Sequence, residues 1–250
     1  MKQVLVVGGG GGLGSALVKQ LLDQNYKVVV IGRTKGADAR IHKFYSVDAA
    51  SADWRSLYVT IEKETATPID AVIFVAGSAV FGKTALIPLE RARQTFELNF
   101  WACTTAARTA AEHWDSRNEA GKFVAILSIV ARRAVPFEAY YSASKAATAR
   151  FLECLQLEYG HKKMEFVCAF PGMLRTPFRR QAEWYGFEPA STDEGADVEE
   201  TAHAVIGLLN GRRKTRVIGW RERSIDLADR LLPGLYDRAV LRNRVQRLLK

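Results

Sequence analysis

Residues 3–24 read QVLVVGGGGGLGSALVKQLLDQ. A short aliphatic run meets five consecutive glycines, Gly8 to Gly12, and then Leu13 and Gly14. Beyond them Leu13, Leu17 and Leu21 recur at helical spacing. The stretch therefore predicts a strand, a turn without side chains and a helix, one directly after another. Glycine permits positive φ and close approach to the backbone, and a helix N-terminus presents unpaired N–H groups to an anion. At a first β–α junction this combination suits the pyrophosphate of a dinucleotide.

The same alternation continues along the chain. Strand candidates are 27–32 (KVVVIG), 43–49 (KFYSVDA), 70–77 (DAVIFVAG), 122–130 (KFVAILSIV), 164–172 (MEFVCAFPG) and, last, 215–220 (TRVIGW). Residues 88–114 read as one long helical stretch, and 142–160 as a helix ended by Gly160. Short apolar strands alternating with helices predict an α/β, doubly wound Rossmann architecture. Its central parallel sheet should have about seven strands, with helices on both faces. No repeat or low-complexity segment divides the chain, so residues 1–250 are expected to form one domain. The least regular part, 173–200, reads as an excursion from it.

The hydrophobic share of 48% and charged share of 25% fit an ordinary globular chain. No apolar run approaches the about 20 residues that cross a bilayer, and the N-terminal stretch lacks a signal-peptide pattern. A cytoplasmic location is expected. Cys103, Cys154 and Cys168 are isolated, without CxxC pairing, and read as small hydrophobes; no metal site is expected. The net charge of +9 is unevenly spread. Residues 211–250 hold twelve Lys/Arg and four Asp/Glu, while the first 210 hold 24 and 23.

Two places bear on chemistry. After the second strand come Arg33, Thr34 and Lys35, with no acid before Asp38. An acid there would hold the ribose hydroxyls of NAD(H); a guanidinium suits a 2′-phosphate, so NADP(H) is favoured over NAD(H). Residues 139–147, AYYSASKAA, set Tyr141 and Lys145 four apart, on one helix face. Tyr140 has only Ser144 at that spacing. An ammonium favours a phenolate, making tyrosine a usable acid/base group, and Tyr141 is the one expected to act.

Together these residues resemble the short-chain dehydrogenase/reductase (SDR) family over about residues 3 to 180, with the motifs in the family's order. Tyr141 and Lys145 match its YxxxK motif, Ser128 its serine thirteen residues earlier, and Asn99 its helix asparagine. Gly8, Gly12 and Gly14, with Leu13 between, match its cofactor glycines. Asp48 stands where the family bonds the adenine, Pro171-Gly172 where it has PG, and Thr176 near the expected carboxamide. The resemblance implies hydride transfer between a nicotinamide cofactor and a small carbonyl or alcohol substrate. In it Tyr141 moves the proton, Lys145 lowers the Tyr141 pKa and binds ribose, Ser128 holds the substrate oxygen, and Asn99 supports a proton-relaying water. It also implies a homodimer or homotetramer. Two positions depart from the pattern: Val7 replaces a threonine, and Phe74-Val75-Ala76-Gly77 replaces NNAG, leaving Ala76 and Gly77 beside the cofactor. The rival expectation is a non-catalytic NADP(H)-binding sensor on the same fold.

Residues 173–200 occupy the substrate-loop position. Phe178, Trp184, Tyr185 and Phe187 suit a bulky apolar substrate, Arg175, Arg179 and Arg180 an anionic group, and simple packing of the loop explains both equally well. The C-terminal tail, 221–250, departs most from the family. Leu241, Val245, Leu248 and Leu249 fit an amphipathic helix interleaved with Arg242, Arg244 and Arg247. Packing on the subunit or a neighbour is the preferred reading, weak contact with an anionic membrane surface the second. Nucleic-acid binding is not expected, because no stacking platform accompanies the charge.

Overall fold

The computed structural model describes residues 1–186, 194–211, 215–232 and 234. In chain order the elements are β1 (Gln3–Val7), α1 (Gly12–Asp23), β2 (Lys27–Gly32), β3 (Lys43–Ser46), α2 (Trp54–Thr65) and β4 (Ile69–Phe74). Then come β5 (Val80–Gly82), α3 (Leu89–Phe96), α4 (Cys103–Asp115), β6 (Gly121–Ile126), α5 (Ala139–Tyr159) and β7 (Met164–Phe170). The last are α6 (Phe178–Gln181), β8 (Glu183–Tyr185), α7 (Val198–Asn210), β9 (Thr215–Val217) and α8 (Trp220–Leu231).

Seven strands form one sheet in the order β3-β2-β1-β4-β6-β7-β9, and every pairing is parallel. Alternate residues of each strand enter opposite cores, which is why the strands read as unbroken apolar runs. Leu5, Val7, Val29 and Ile31 face Trp54, Tyr58 and Trp114 of α2 and α4. Val4, Val6, Val28 and Val30 face Leu13, Leu17 and Leu21 of α1 and Val205 of α7. The strand order reverses between β1 and β4, and the crevice beyond their C-terminal ends is where an open α/β sheet binds ligands. This is the Rossmann-like α/β fold that the alternation predicts.

The structure differs from the sequence reading in three places. Strand β6 stops at Ile126, and Ser128, still extended, lies two residues beyond it and caps a 3₁₀ turn over Ile129–Ala131. The stretch read as a final strand to Trp220 ends at Val217; Gly219 turns the chain at φ +98° and α8 begins at Trp220. A separate two-stranded parallel pair, β5 with β8, joins the substrate loop to the segment after β4. Residues that touch only across 100 positions of chain leave no local pattern. Phe187 and the residues proposed for the tail helix, Leu241 to Leu249, lie outside the described residues. Among the described residues no helix is long and apolar enough to cross a membrane, and no cluster of metal-ligating side chains occurs.

Candidate active site

The glycine turn closes at the mouth of the crevice. Gly8 has φ +90°, and a Cβ there would lie 2.7 Å from the Ala76 nitrogen, so both conformation and contact demand glycine. The Ala76 and Val75 N–H groups both donate to the Val7 carbonyl, at 2.9 Å. That clamp draws the β4 exit against the glycines. The α1 N-terminus carries no side-chain cap, and Gly11 and Gly12 are exposed, leaving its N–H groups for an anion. Leu13 points into the core. Thr176 lies across Gly12, where an added Cβ would meet its Cγ2 at 2.8 Å.

Arg33, Thr34 and Lys35 are exposed beyond β2, and Asp48 is exposed beyond β3 with its carboxylate accepting the Ala50 N–H at 3.0 Å. The bare helix end, the exposed cations and the acid share the C-terminal edge of the sheet, and this donor set fits a dinucleotide. The FVAG departure has a packing reason. Phe74 is buried, with its ring 6.1 Å from Trp54 and 6.4 Å from Phe123. Aromatic packing stands here where the family pattern has an amide.

Asn99 sits in a π turn, Glu97–Ala102, that joins α3 to α4. Such turns are uncommon and gather at functional sites. Its side chain is fully engaged: Nδ2 donates to the Ser78 carbonyl at 2.8 Å and to Ser144 Oγ at 3.0 Å, and Oδ1 accepts the Ser78 N–H at 2.9 Å. Ser144 in turn donates to the Tyr141 carbonyl at 2.8 Å. Lys145, on the same face of α5, is buried and donates to the Ile126 carbonyl at 3.0 Å. Gly77 passes between the two, and a Cβ there would lie 3.1 Å from Asn99 Oδ1 and 3.2 Å from Lys145 Nζ. Burial holds the Lys145 ammonium down at about 8, against a small opposing effect of Cys103.

Tyr141 is buried at the start of α5, near enough to Ser128 for the serine to favour its ionised form, while Tyr140 is half-buried. Ser128 is held by its place at the head of the 3₁₀ turn, where its Oγ accepts the Val130 N–H at 3.4 Å. The Ile129 N–H donates to the Pro171 carbonyl at 2.8 Å, which sets Pro171-Gly172 beside the serine. The structure thus brings Asn99, Ser128, Tyr141 and Lys145 together. It also corrects one expectation. The Tyr141 phenol is pushed above its ordinary value, first by burial and then by the Glu138 carboxylate, opposed by Ser128 and by Arg179. Lys145 Nζ lies 6.0 Å from the Tyr141 ring centroid.

Glu138 and Phe81 are the site residues the sequence reading missed. Glu138 is buried three positions before Tyr141, and its Oε1 lies 3.2 Å from Arg179 Nη1. The Arg179 guanidinium lies 4.7 Å from the Phe81 ring centroid and 5.1 Å from that of Trp184. Phe81 packs edge-on to Tyr141 at 5.7 Å, and Phe178 reaches the same ring at 5.9 Å. The i, i+3 spacing of Glu138 and Tyr141 was the available signal for the first; nothing local marks the second. Of the loop residues named from sequence, Phe178, Trp184 and Arg179 turn inward. Arg175 pairs loosely with Asp197 on the surface at 3.6 Å, Arg180 is exposed, and the Tyr185 hydroxyl donates to Glu183.

Comparison with known proteins agrees with this geometry. The sequence model of the family described as short chain dehydrogenase matches residues 2–184. Human L-xylulose reductase is 25% identical over 221 residues, covering 84% of this chain and 90% of that protein. An uncharacterised oxidoreductase of Bacillus subtilis (strain 168) is 22% identical over 249 residues, 94% of this chain and 70% of its own. Among solved structures, a short chain dehydrogenase from Burkholderia cenocepacia J2315 in complex with NADP superposes with a TM-score of 0.80 at 23% identity, covering 96% of this chain and 99% of that one. A 4-hydroxyisoleucine dehydrogenase complexed with NADH gives 0.72 at 19%, with 88% and 98% covered. The chain belongs to the short-chain dehydrogenase/reductase family, nicotinamide-dependent oxidoreductases of CH–OH and C=O groups.

Proposed function

We propose that this chain is an NADP(H)-dependent reductase that interconverts a carbonyl and a secondary alcohol, with Tyr141 as the proton-transferring group. The observation that carries the reading is the buried cluster of Tyr141, Ser128, Lys145 and Asn99, the last two converging on Gly77, beside an uncapped glycine turn. A bound nicotinamide cofactor supplies or accepts the hydride. In the reducing direction Tyr141 gives its proton to the substrate oxygen, and Ser128 donates a hydrogen bond to that same oxygen. Lys145, with a pKa of about 8, is mostly protonated at neutral pH and holds the cofactor ribose. Asn99, fixed between Ser78 and Ser144, forms the floor of the proton route behind Lys145.

The exposed Arg33 and Lys35, with no acid before Asp38, support the NADP(H) preference. The inward aromatic residues Phe81, Phe178 and Trp184 favour a carbonyl compound with a bulky apolar group. The charge of Arg179 is already answered by Glu138, which weighs against an anionic substrate group. In this reading the chain works as one domain, residues 173–200 act as its lid, and it assembles as a homodimer or homotetramer. The test is oxidation of NADPH and NADH against a panel of carbonyl compounds that includes sugars, since one relative is named for L-xylulose. Turnover is expected with NADPH, and Arg33→Ala should raise the Kd for NADPH about tenfold while leaving NADH within about twofold. Tight NADPH binding without turnover across the panel contradicts the reading.

A further inference from the structure

Helix α8 is built inside out. Its acids Glu222, Asp226 and Asp229 are half-buried and turn toward the body, where Glu222 lies against Gly172 and Asp226 pairs with Arg132 at 2.6 Å. Ile225 is half-buried, but the other large apolar residues of the helix turn away. Trp220, Leu227 and Leu231 are 81%, 57% and 69% exposed, and at intervals of seven and four they form one stripe along the helix. Leu232 continues the stripe, 57% exposed. Large apolar side chains gain by leaving water, so water is a poor neighbour for this face. An outward apolar stripe of this length marks an interaction surface rather than scattered exposure.

The charges around the stripe select its partner. Arg221, Arg223 and Arg230 are exposed along its flanks, while all three acids of the helix face inward. Between β9 and α8 lies a cavity of about 330 Å³, lined by Arg216, Arg223 and Arg230 around Asp226 and Leu227. Asp226 already pairs with Arg132 and stands 3.5 Å from Arg230, so its carboxylate is answered from two sides while Arg221 and Arg223 stay exposed beside the stripe. A second copy on a two-fold axis would set these arginines against their own counterparts, and the +8 of residues 211–250 opposes such pairing. An apolar stripe with an exposed tryptophan between rows of arginine matches an anionic lipid surface, which accepts the side chains and attracts the flanks. We propose that α8 docks this protein on anionic membranes, with Trp220, Leu227 and Leu231 entering the interface and the arginine-lined cavity beside Leu227 receiving lipid phosphate. The docking element is thus α8, at the start of the basic tail, rather than residues 241–249.

Full-length protein is sedimented with vesicles of phosphatidylcholine containing about one third phosphatidylglycerol, and with pure phosphatidylcholine. The wild type is expected to bind the anionic vesicles, to release in high salt, and to leave the neutral ones in solution. The double variant Trp220→Ser/Leu227→Ser should bind the anionic vesicles at least about tenfold more weakly, with circular dichroism and turnover unchanged. The variant Arg223→Gln/Arg230→Gln gives an independent reading if the first fails to fold, and should show the same loss. Absence of wild-type binding, or equal binding to both vesicle types, overturns the proposal. So does wild-type affinity in the variants, which assigns binding to the tail, or a wild-type oligomer that the stripe variant dissociates without any vesicle binding.

Discussion

Tyr141 carries the chemistry of this account, and its surroundings explain how one phenol is tuned. Burial and three neighbours bear on it: burial and Glu138 raise its pKa, and Ser128 and Arg179 oppose them. Alcohol oxidation needs the deprotonated phenol. Glu138→Gln should therefore move the acid limb of the oxidation pH profile to lower pH, and Arg179→Met should move it higher, each with little effect on cofactor binding. Identical profiles for all three proteins would contradict this electrostatic arrangement. Lys145 offers a second check through stability. Its folded pKa, about 8, lies below the ordinary lysine value, so the unfolded chain binds the proton more tightly between about 8 and 10.5. Stability should rise with pH across that window, with a slope approaching about 1.4 kcal/mol per pH unit from this group. In Lys145→Met that contribution should vanish from denaturant melts taken at pH 8 and above. Tyr141 and Lys145 were legible in the sequence through their four-residue spacing on α5, and Ser128 and Asn99 through the resemblance to the family's motifs. Glu138 was not, since its role depends on Arg179, 41 positions away.

At the scale of elements, the segment from α6 to β8 is the part that local pattern conceals. Three residues of β8 pair with three of β5, and this brings Phe178, Arg179 and Trp184 over the phenol. Gly82 makes the pairing possible. Its φ is +136°, and a Cβ there would collide with the Tyr185 backbone. Gly82→Ala should loosen this segment while sparing the core, raising KM about tenfold or more and shifting Tm by only a few degrees. A KM equal to wild type would mean the pairing does not shape the substrate site. The strands of the main sheet were legible as short unbroken apolar runs buried on both faces, and its helices by their periodic apolar face. The end of β6, the start of α8 and the β5–β8 pair were not, because single turns and distant contacts fix them. The π turn at Asn99 likewise lies inside a continuous helical pattern, visible only through its bonds to Ser78 and Ser144.

At the scale of the molecule, the parallel sheet gathers the ends of β1, β2, β3, β4, β6 and β7 on one edge, so residues from Gly8 to Thr176 meet in a single crevice. The fold class followed from residues 3–24 and the alternation after them, since only helices on both faces bury such strands. Charge distribution was legible too, as an excess in residues 211–250, but which way α8 presents its apolar stripe required coordinates. The central claim is that this crevice runs a proton transfer through Tyr141 while the glycine turn holds the cofactor. The measurement that tests it most directly compares wild type with Tyr141→Phe, following NADPH oxidation with a carbonyl substrate found in the panel and NADPH binding by calorimetry. The account predicts a loss of turnover of about 10²-fold or more, with the NADPH Kd within about twofold. A Tyr141→Phe enzyme that turns over at the wild-type rate would contradict it.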